Sequence, residues 1–352
     1  MVVGNVALHA GMQWARPIVT IAPSVEHRPR MHALLGLWLL SMVFRLAPNV
    51  VSSLGAIAGV MHFGSTSALA AFVLSRDPRK RNGFFWLLLL GGTTIEFATN
   101  LNSGSKAYLM FSFMPALWLF LRDQKLRRYV PLLSGVMFVW YVSVIAPVVM
   151  TSRTARADTH ESHMSRIIRT YSRGDYEDEA GTDKQLPRFL ERAFDATATA
   201  CIYSEVERVG FMYGEGMDYL VYAFIPRAIW PDKPSVTRGA WFSEYLGQAR
   251  SEETATTSLG QTAPGELYWN FGWPGVLLGM SLLGVVCGKL WKLATPFAER
   301  DSLRLLLYFG ITFQVINMAE AGSAFLSLVY RTVIIGFAIV TTDRMQRSRG
   351  RT

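Results

Sequence analysis

Only two cysteines occur in the 352 residues, Cys201 and Cys287. Cys287 falls inside an apolar run and Cys201 in a polar stretch, so the two are not expected to pair, which excludes a disulfide-stapled secreted module. Charge is scarce as well, at 17% against the usual ~25%. The residues AVILMFWYC make up 51%, and the mean hydropathy is +0.23. This balance excludes a disordered chain and an ordinary soluble enzyme. There is no internal repeat and no low-complexity tract. What remains is a membrane protein.

Long apolar runs carry that reading further. A helical span needs about 20 mostly apolar residues. Eight stretches qualify, near 32–48, 55–75, 84–99, 107–121, 129–150, 271–290, 304–319 and 322–340. The expected fold class is an all-α polytopic membrane protein of about eight transmembrane helices with one large extracytoplasmic loop. Its sections are a membrane region over 1–150, a loop over 151–270 and a second membrane region over 271–352. The first 30 residues hold Arg16, Glu26, Arg28 and Arg30 and give no clean span. They also lack a basic start followed by an apolar core, so no cleavable signal peptide is predicted.

Lysine and arginine in the short connections set the orientation. HRPRMH (27–32), RDPRKR (76–81), RDQKLRR (122–128), the stretch Lys289 to Arg304 and DRMQRSRGR (343–351) are all basic. Threading eight spans puts them on one side. The connections near 49–54, 100–106 and 319–322 hold only Lys106. Both termini are therefore expected in the cytoplasm and residues 151–270 outside it. That loop has 13 Lys/Arg against 18 Asp/Glu, leaving 22 against 8 in the remainder. The net charge of +9 is then a topology signal, not a nucleic-acid footprint.

Within the loop, 151–187 is polar and reads as an exposed stretch. From Arg188 to about Arg208, Leu190, Phe194, Ala198, Cys201 and Ile202 recur at helical spacing and predict an amphipathic helix. The apolar piece Met217 to Phe224 is too short to span, and it suits a dip into the membrane or a path along it. IPRAIWPDKPS (225–235) carries three prolines, which impose a rigid, turn-rich course. RGAWFSEYLG (238–247) predicts a short aromatic helix, and GELYWNFGWPG (265–275) leads into the sixth span.

Ionisable groups in or beside spans are costly and mark functional candidates. Arg45, Glu96 and Glu320 fall near the outer ends of their spans, Lys106 in an outer connection, and Arg331 near the middle of the last span. A structural ion pair is the competing account for Arg331. His160 and His163 of HESH make only a weak metal site, and solvated loop histidines are preferred, so no metal is expected.

The stretches IPRAIWPDKPS and GELYWNFG resemble the O-antigen and oligosaccharide repeat-unit polymerases of bacterial envelopes. The matching residues are Pro226-Arg227, Trp230-Pro231-Asp232-Lys233-Pro234, Gly265-Glu266, Tyr268, Asn270-Phe271-Gly272 and Gly275. SGSK at 103–106 is also similar to that family, and the likeness covers roughly 100–290. The resemblance implies a GT-C-like glycosyltransferase of the bacterial inner membrane. It would move a growing glycan from a polyprenyl diphosphate carrier onto an incoming lipid-linked unit at the outer face. Partners implied are the polyprenyl-diphosphate-linked oligosaccharide, membrane lipids, a chain-length regulator and a flippase, with no cofactor and no nucleic acid.

Residue chemistry agrees with this expectation. A diphosphate leaving group gains negative charge as the glycosidic bond breaks, and preorganised cations stabilise it. Arginine suits the task because its fork bonds two phosphate oxygens and stays charged. The loop supplies Arg166, Arg169, Arg188, Arg192, Arg208 and Arg227. Arg227, set beside Pro226, ranks first, followed by Lys233, Arg192 and Arg169, with Lys106 in reach in principle. The acceptor hydroxyl needs a proton acceptor. Glu266 is the first choice and His163 or His160 the second. The competing account of Glu266 is a helix N-terminal acid favoured by the dipole. Trp230, Tyr268 and Asn270 are the sugar-side candidates, whereas Trp241 fits an interfacial aromatic better. Two other readings stand behind the polymerase: a ligase with the same donor, and a transporter of lipid-linked glycans. The transporter is disfavoured by the absence of an internal duplication.

Overall fold

The computed structural model describes residues 2–15, 31–46, 65–73, 81–102, 106–154, 163–177, 187, 197–223, 225, 229–230, 232–234, 238–247, 260–294, 307–312, 315, 320–330 and 333. Among these the regular structure is helical, with no strand. Among the described residues three helices are long and apolar enough to cross a membrane: Gly83–Leu101, Arg127–Ser152 and Ala263–Lys292. Shorter apolar helices cover Leu34–Val43 and Ala321–Tyr330. The chain is an all-α membrane protein.

Two compact units are present, Phe72–Asp195 and the combination of Met1–Ala71 with Ala196–Thr352. The second unit draws together residues on both sides of the first. Its helices include α1 (Val2–Trp14), α2 (Met31–Leu46), α9 (Thr197–Val209), α10 (Tyr219–Tyr222), α11 (Arg238–Tyr245), α12 (Ala263–Ala294) and α13 (Ala321–Tyr330). The first unit holds α3 (Gly83–Asn102), α4 (Lys106–Phe111), α5 (Met114–Arg122), α6 (Val130–Trp140), α7 (Ala146–Thr154) and α8 (His163–Arg173).

In the unit spanning 72–195, the expected span at 107–121 is two helices, because the chain turns at Ser112–Phe113 and Pro115 starts the second. The span at 129–150 is continuous but carries a π turn at Tyr141–Ile145. Pro147 lies just beyond it. A proline cannot donate to the carbonyl four residues back, and widening the turn relieves the clash. The polar stretch 151–187 is not wholly extended loop. Ile167 of α8 is buried against Leu109, Ile145, Val148 and Val149, and that apolar contact draws the segment into a helix.

In the other unit, residues 2–14 form a helix that the sequence pattern passed over. Its contact with α12 depends on small residues. A Cβ on Gly11 would sit 2.2 Å from the Ser281 carbonyl oxygen, and one on Gly284 would sit 2.1 Å from that of Leu8. Gly288 meets the Met12 carbonyl in the same way, at 2.7 Å. Close backbone approach of this kind is how helices associate where lipid removes the hydrophobic drive. Lys292 closes the contact by donating to the Ala15 carbonyl. The amphipathic helix expected from Arg188 is described from Thr197 to Val209, its earlier residues lying outside the described set.

Gly284→Ala is expected to lower stability by about 1–3 kcal/mol, because backbone rather than a movable side chain blocks the new methyl. Gly135→Ala, with nothing within 4 Å of the added carbon, is the control. Thermal unfolding in detergent checks this; equal midpoints for the two variants would contradict the packing.

Candidate functional site

The site grows from the first turns of α12. Thr262 adopts φ 62°, outside the helix, and its hydroxyl accepts the Gly265 N–H at 3.1 Å while its carbonyl accepts Glu266 N–H at 2.9 Å. This cap fixes where the helix begins. Gly265 is needed there, since a Cβ would meet Thr262 Oγ1 at 2.9 Å and Ile202 at 3.0 Å. Glu266 and Asn270 follow one turn apart and share a face.

The helix then breaks. Gly272 has φ 65° and ψ −158°, and Pro274 has no N–H to offer the Asn270 carbonyl. Two carbonyls are thereby left without their helical donors, and a preceding segment supplies replacements. Met212 N–H donates to the Trp269 carbonyl and Tyr213 N–H to that of Asn270, both at 3.0 Å. The Asn270 side chain completes the junction. Its Oδ1 accepts from the Gly214 and Gly216 N–H groups at 3.2 and 3.1 Å, and its Nδ2 donates to the Glu266 carbonyl at 2.8 Å. Gly214 has φ 100°, and a Cβ on Gly216 would crowd Asn270 at 2.9 Å. The strap 212–217 therefore needs both glycines.

Beyond the strap, Tyr219 is fully buried, and its hydroxyl donates to Glu266 Oε1 at 2.7 Å. Glu266 Oε2 accepts the Gly322 N–H at 2.9 Å, where α13 begins. The carboxylate thus caps a helix distant in sequence while holding a phenol. Gly322 has no alternative, because a Cβ would lie 2.1 Å from the Tyr219 hydroxyl. Burial, and then the Glu266 charge, push the Tyr219 phenol far above its ordinary range.

Arg238, the first residue of α11, pairs with Asp218 and lies over the Tyr219 and Trp241 rings at 5.4 and 5.2 Å. Its Nε is buried and has no hydrogen-bond partner among the described residues. Lys233 is buried too, and its ammonium donates to the carbonyls of Ile225 at 2.8 Å and Ala223 at 3.3 Å. The Tyr330 hydroxyl donates to the same Ala223 carbonyl at 3.1 Å. Glu320 is 6% exposed just before α13; its backbone carbonyl accepts from Ser323 Oγ at 3.3 Å, and the same hydroxyl bears on its carboxyl. Burial, followed by the Glu266 charge, pushes the Glu320 carboxyl up to about 7.

Of the residues singled out by sequence, Glu266, Asn270 and Lys233 converge on one segment, 212–225. Tyr268 is half-buried in a ring cluster, stacked on Tyr203 at 5.6 Å and edge-on to Phe211 and Trp273. Trp230 is exposed, with its ring edge-on to Tyr222 at 6.2 Å. Lys106, His163 and Arg169 belong to the unit 72–195, as the first residues of α4 and α8 and a half-buried position on α8. Arg192 and Arg227 lie outside the described residues.

Sequence reasoning missed Tyr219, Asp218 and Arg238. Tyr219 sits in an apolar piece that reads as membrane contact, and it packs instead with Ala223 and Leu326. Arg238 opens an aromatic helix, where an arginine passes for a solvated end. Among the described residues no group of three His, Cys, Asp or Glu is placed to hold a metal. No family model, curated protein or solved structure matches the chain.

A pH dependence follows from Glu320. Its carboxyl titrates higher in the folded protein than unfolded, so the protonated form is the one the fold favours. Stability should be full below the ordinary glutamate range, near 4.5, and fall as pH rises through about 7. Glu320→Gln should flatten that decline. Thermal midpoints from pH 4.5 to 8.5 would check it (an equal slope in both proteins would contradict the assignment).

Proposed function

We propose that this chain is a membrane glycosyltransferase acting on polyprenyl-diphosphate-linked oligosaccharides. It joins repeat units into a surface polysaccharide at the outer face of the bacterial cytoplasmic membrane. One observation carries the reading. The two stretches that resemble the repeat-unit polymerases, 225–235 and 265–275, are separated by 29 residues of other sequence yet hold the same segment. Lys233 pins residues 223 and 225, while Glu266 and Asn270 pin 214, 216 and 219. Motif residues that act on one structural element belong to one site.

In this reading the Pro-rich loop presents Arg227 to the diphosphate, and Lys233 holds that loop in place. Arg238 is a second cation with a buried donor unused, which suits an anionic oxygen. Glu266 was expected to receive the acceptor proton. Both its oxygens are engaged by Tyr219 and Gly322, which favours a positioning task. The eight-span topology, with the loop outside and the termini inside, belongs to the same proposal. Arg169, Arg192, Lys106 and His163 stay on as further candidates, as do Trp230 and Tyr268 for the sugar.

The test uses purified protein in nanodiscs with a polyprenyl-diphosphate-linked repeat unit, with products resolved on a gel. A ladder with free polyprenyl diphosphate is the expected outcome. Transfer of one unit onto an added lipid acceptor would favour a ligase, and absence of turnover would favour a transporter. Arg227→Ala should abolish the ladder in a protein that still inserts. Arg227→Lys should also be impaired, because a point charge does not reproduce the two-pronged contact. A normal ladder from Arg227→Ala would remove Arg227 from the site.

A further inference from the structure

We infer that Glu320, and not Glu266, is the carboxylate that accepts the proton of the attacking hydroxyl. The inference rests on the transferase reading above and adds the catalytic group. The two acids share one buried cluster but differ in what occupies them. Glu266 is 0% exposed and its two oxygens serve the Tyr219 hydroxyl and the α13 N-terminus. Losing that carboxylate would leave the Tyr219 hydroxyl and the Gly322 N–H without their acceptor. Glu320 is 6% exposed, and among the described residues Ser323 is the one donor to its carboxyl. It has lone pairs to spare, whereas Glu266 is committed to structure.

Charge supports the same division. The groups that bear on Glu320 are Glu266 from α12, Tyr219 from α10 and Arg238 from α11. Asp218 already neutralises much of Arg238. Two carboxyls facing one partly neutralised guanidinium in an apolar setting are not both ionised readily, so one of the pair stays poised to exchange a proton. A general base works best when it titrates near the working pH.

In the step itself, the acceptor hydroxyl oxygen forms a bond to the anomeric carbon of the donor glycan. The bond from that carbon to the diphosphate oxygen breaks, and polyprenyl diphosphate departs with the electron pair. The hydroxyl proton passes to the Glu320 carboxylate and from there to water. Arg238, with an unused Nε donor on the same cluster, faces the developing negative charge.

The experiment follows the release of polyprenyl diphosphate by the full-length protein in nanodiscs, with kcat and KM separated, from pH 5 to 9. Wild type should show an acid limb with its midpoint near 7. Glu320→Gln should lose about 10²–10⁴-fold in kcat, with KM little changed and the acid limb gone. Glu320→Asp should retain part of the rate with the limb displaced, a readout that a purely structural role would not move. This second variant decides the matter if Glu320→Gln unfolds. Glu320→Gln or Glu320→Asp turning over like wild type, with an unaltered limb, overturns the role of Glu320 alone. A wild-type protein that releases no polyprenyl diphosphate from a cognate donor overturns the transferase reading and the role with it.

Discussion

The break in α12 is the constraint on which the site depends. A membrane-spanning helix has no water to satisfy stray backbone groups, so an interruption survives only where protein supplies the missing partners. Gly272 and Pro274 interrupt the helix and leave the Trp269 and Asn270 carbonyls to be satisfied by residues 212 and 213. Everything that follows in the strap is fixed by that demand. Gly214 turns left-handed to bring the chain back, Gly216 lets it lie on Asn270, and Tyr219 arrives at the Glu266 carboxylate.

A second consequence concerns charge. Burying a carboxylate costs free energy unless it is hydrogen-bonded or paired. Glu266 meets this through a phenol and a helix N-terminus, where both the free N–H groups and the dipole favour an anion. Glu320, just before α13, has among the described residues one donor, Ser323, and feels the Glu266 charge. Asp218 and Arg238 answer each other beside them, with the guanidinium laid over Tyr219 and Trp241. The arrangement separates an acid that holds the fold from an acid that is free to exchange its proton.

Small residues provide the frame. Gly11, Gly284 and Gly288 let α1 and α12 approach until backbone touches backbone, and Gly322 lets α13 meet Tyr219. Such contacts tolerate no added methyl, so position along one helix is transmitted to the next. Packing of this kind, together with the apolar cluster of Ala7, Leu267, Val276, Met280 and Ala321, sets where the broken end of α12 stands.

The membrane class was legible in the sequence because it depends on composition and on runs of apolar residues, which are local. Glu266 and Asn270 were singled out by sequence from one short stretch, GELYWNFG, because helical spacing acts over a few residues. Less could be read where partners are remote. The sequence placed Tyr219 against lipid, since an isolated apolar stretch looks alike whether it meets lipid or another helix. It passed over Val2–Trp14, whose 13 residues are too short to span and whose worth lies in glycines facing α12. The sequence by itself determined that helices cross a membrane and that acids and prolines gather near one span. Only the tertiary structure decided which acid is occupied, because that follows from whose N–H and O–H groups arrive from 47 and 56 residues away.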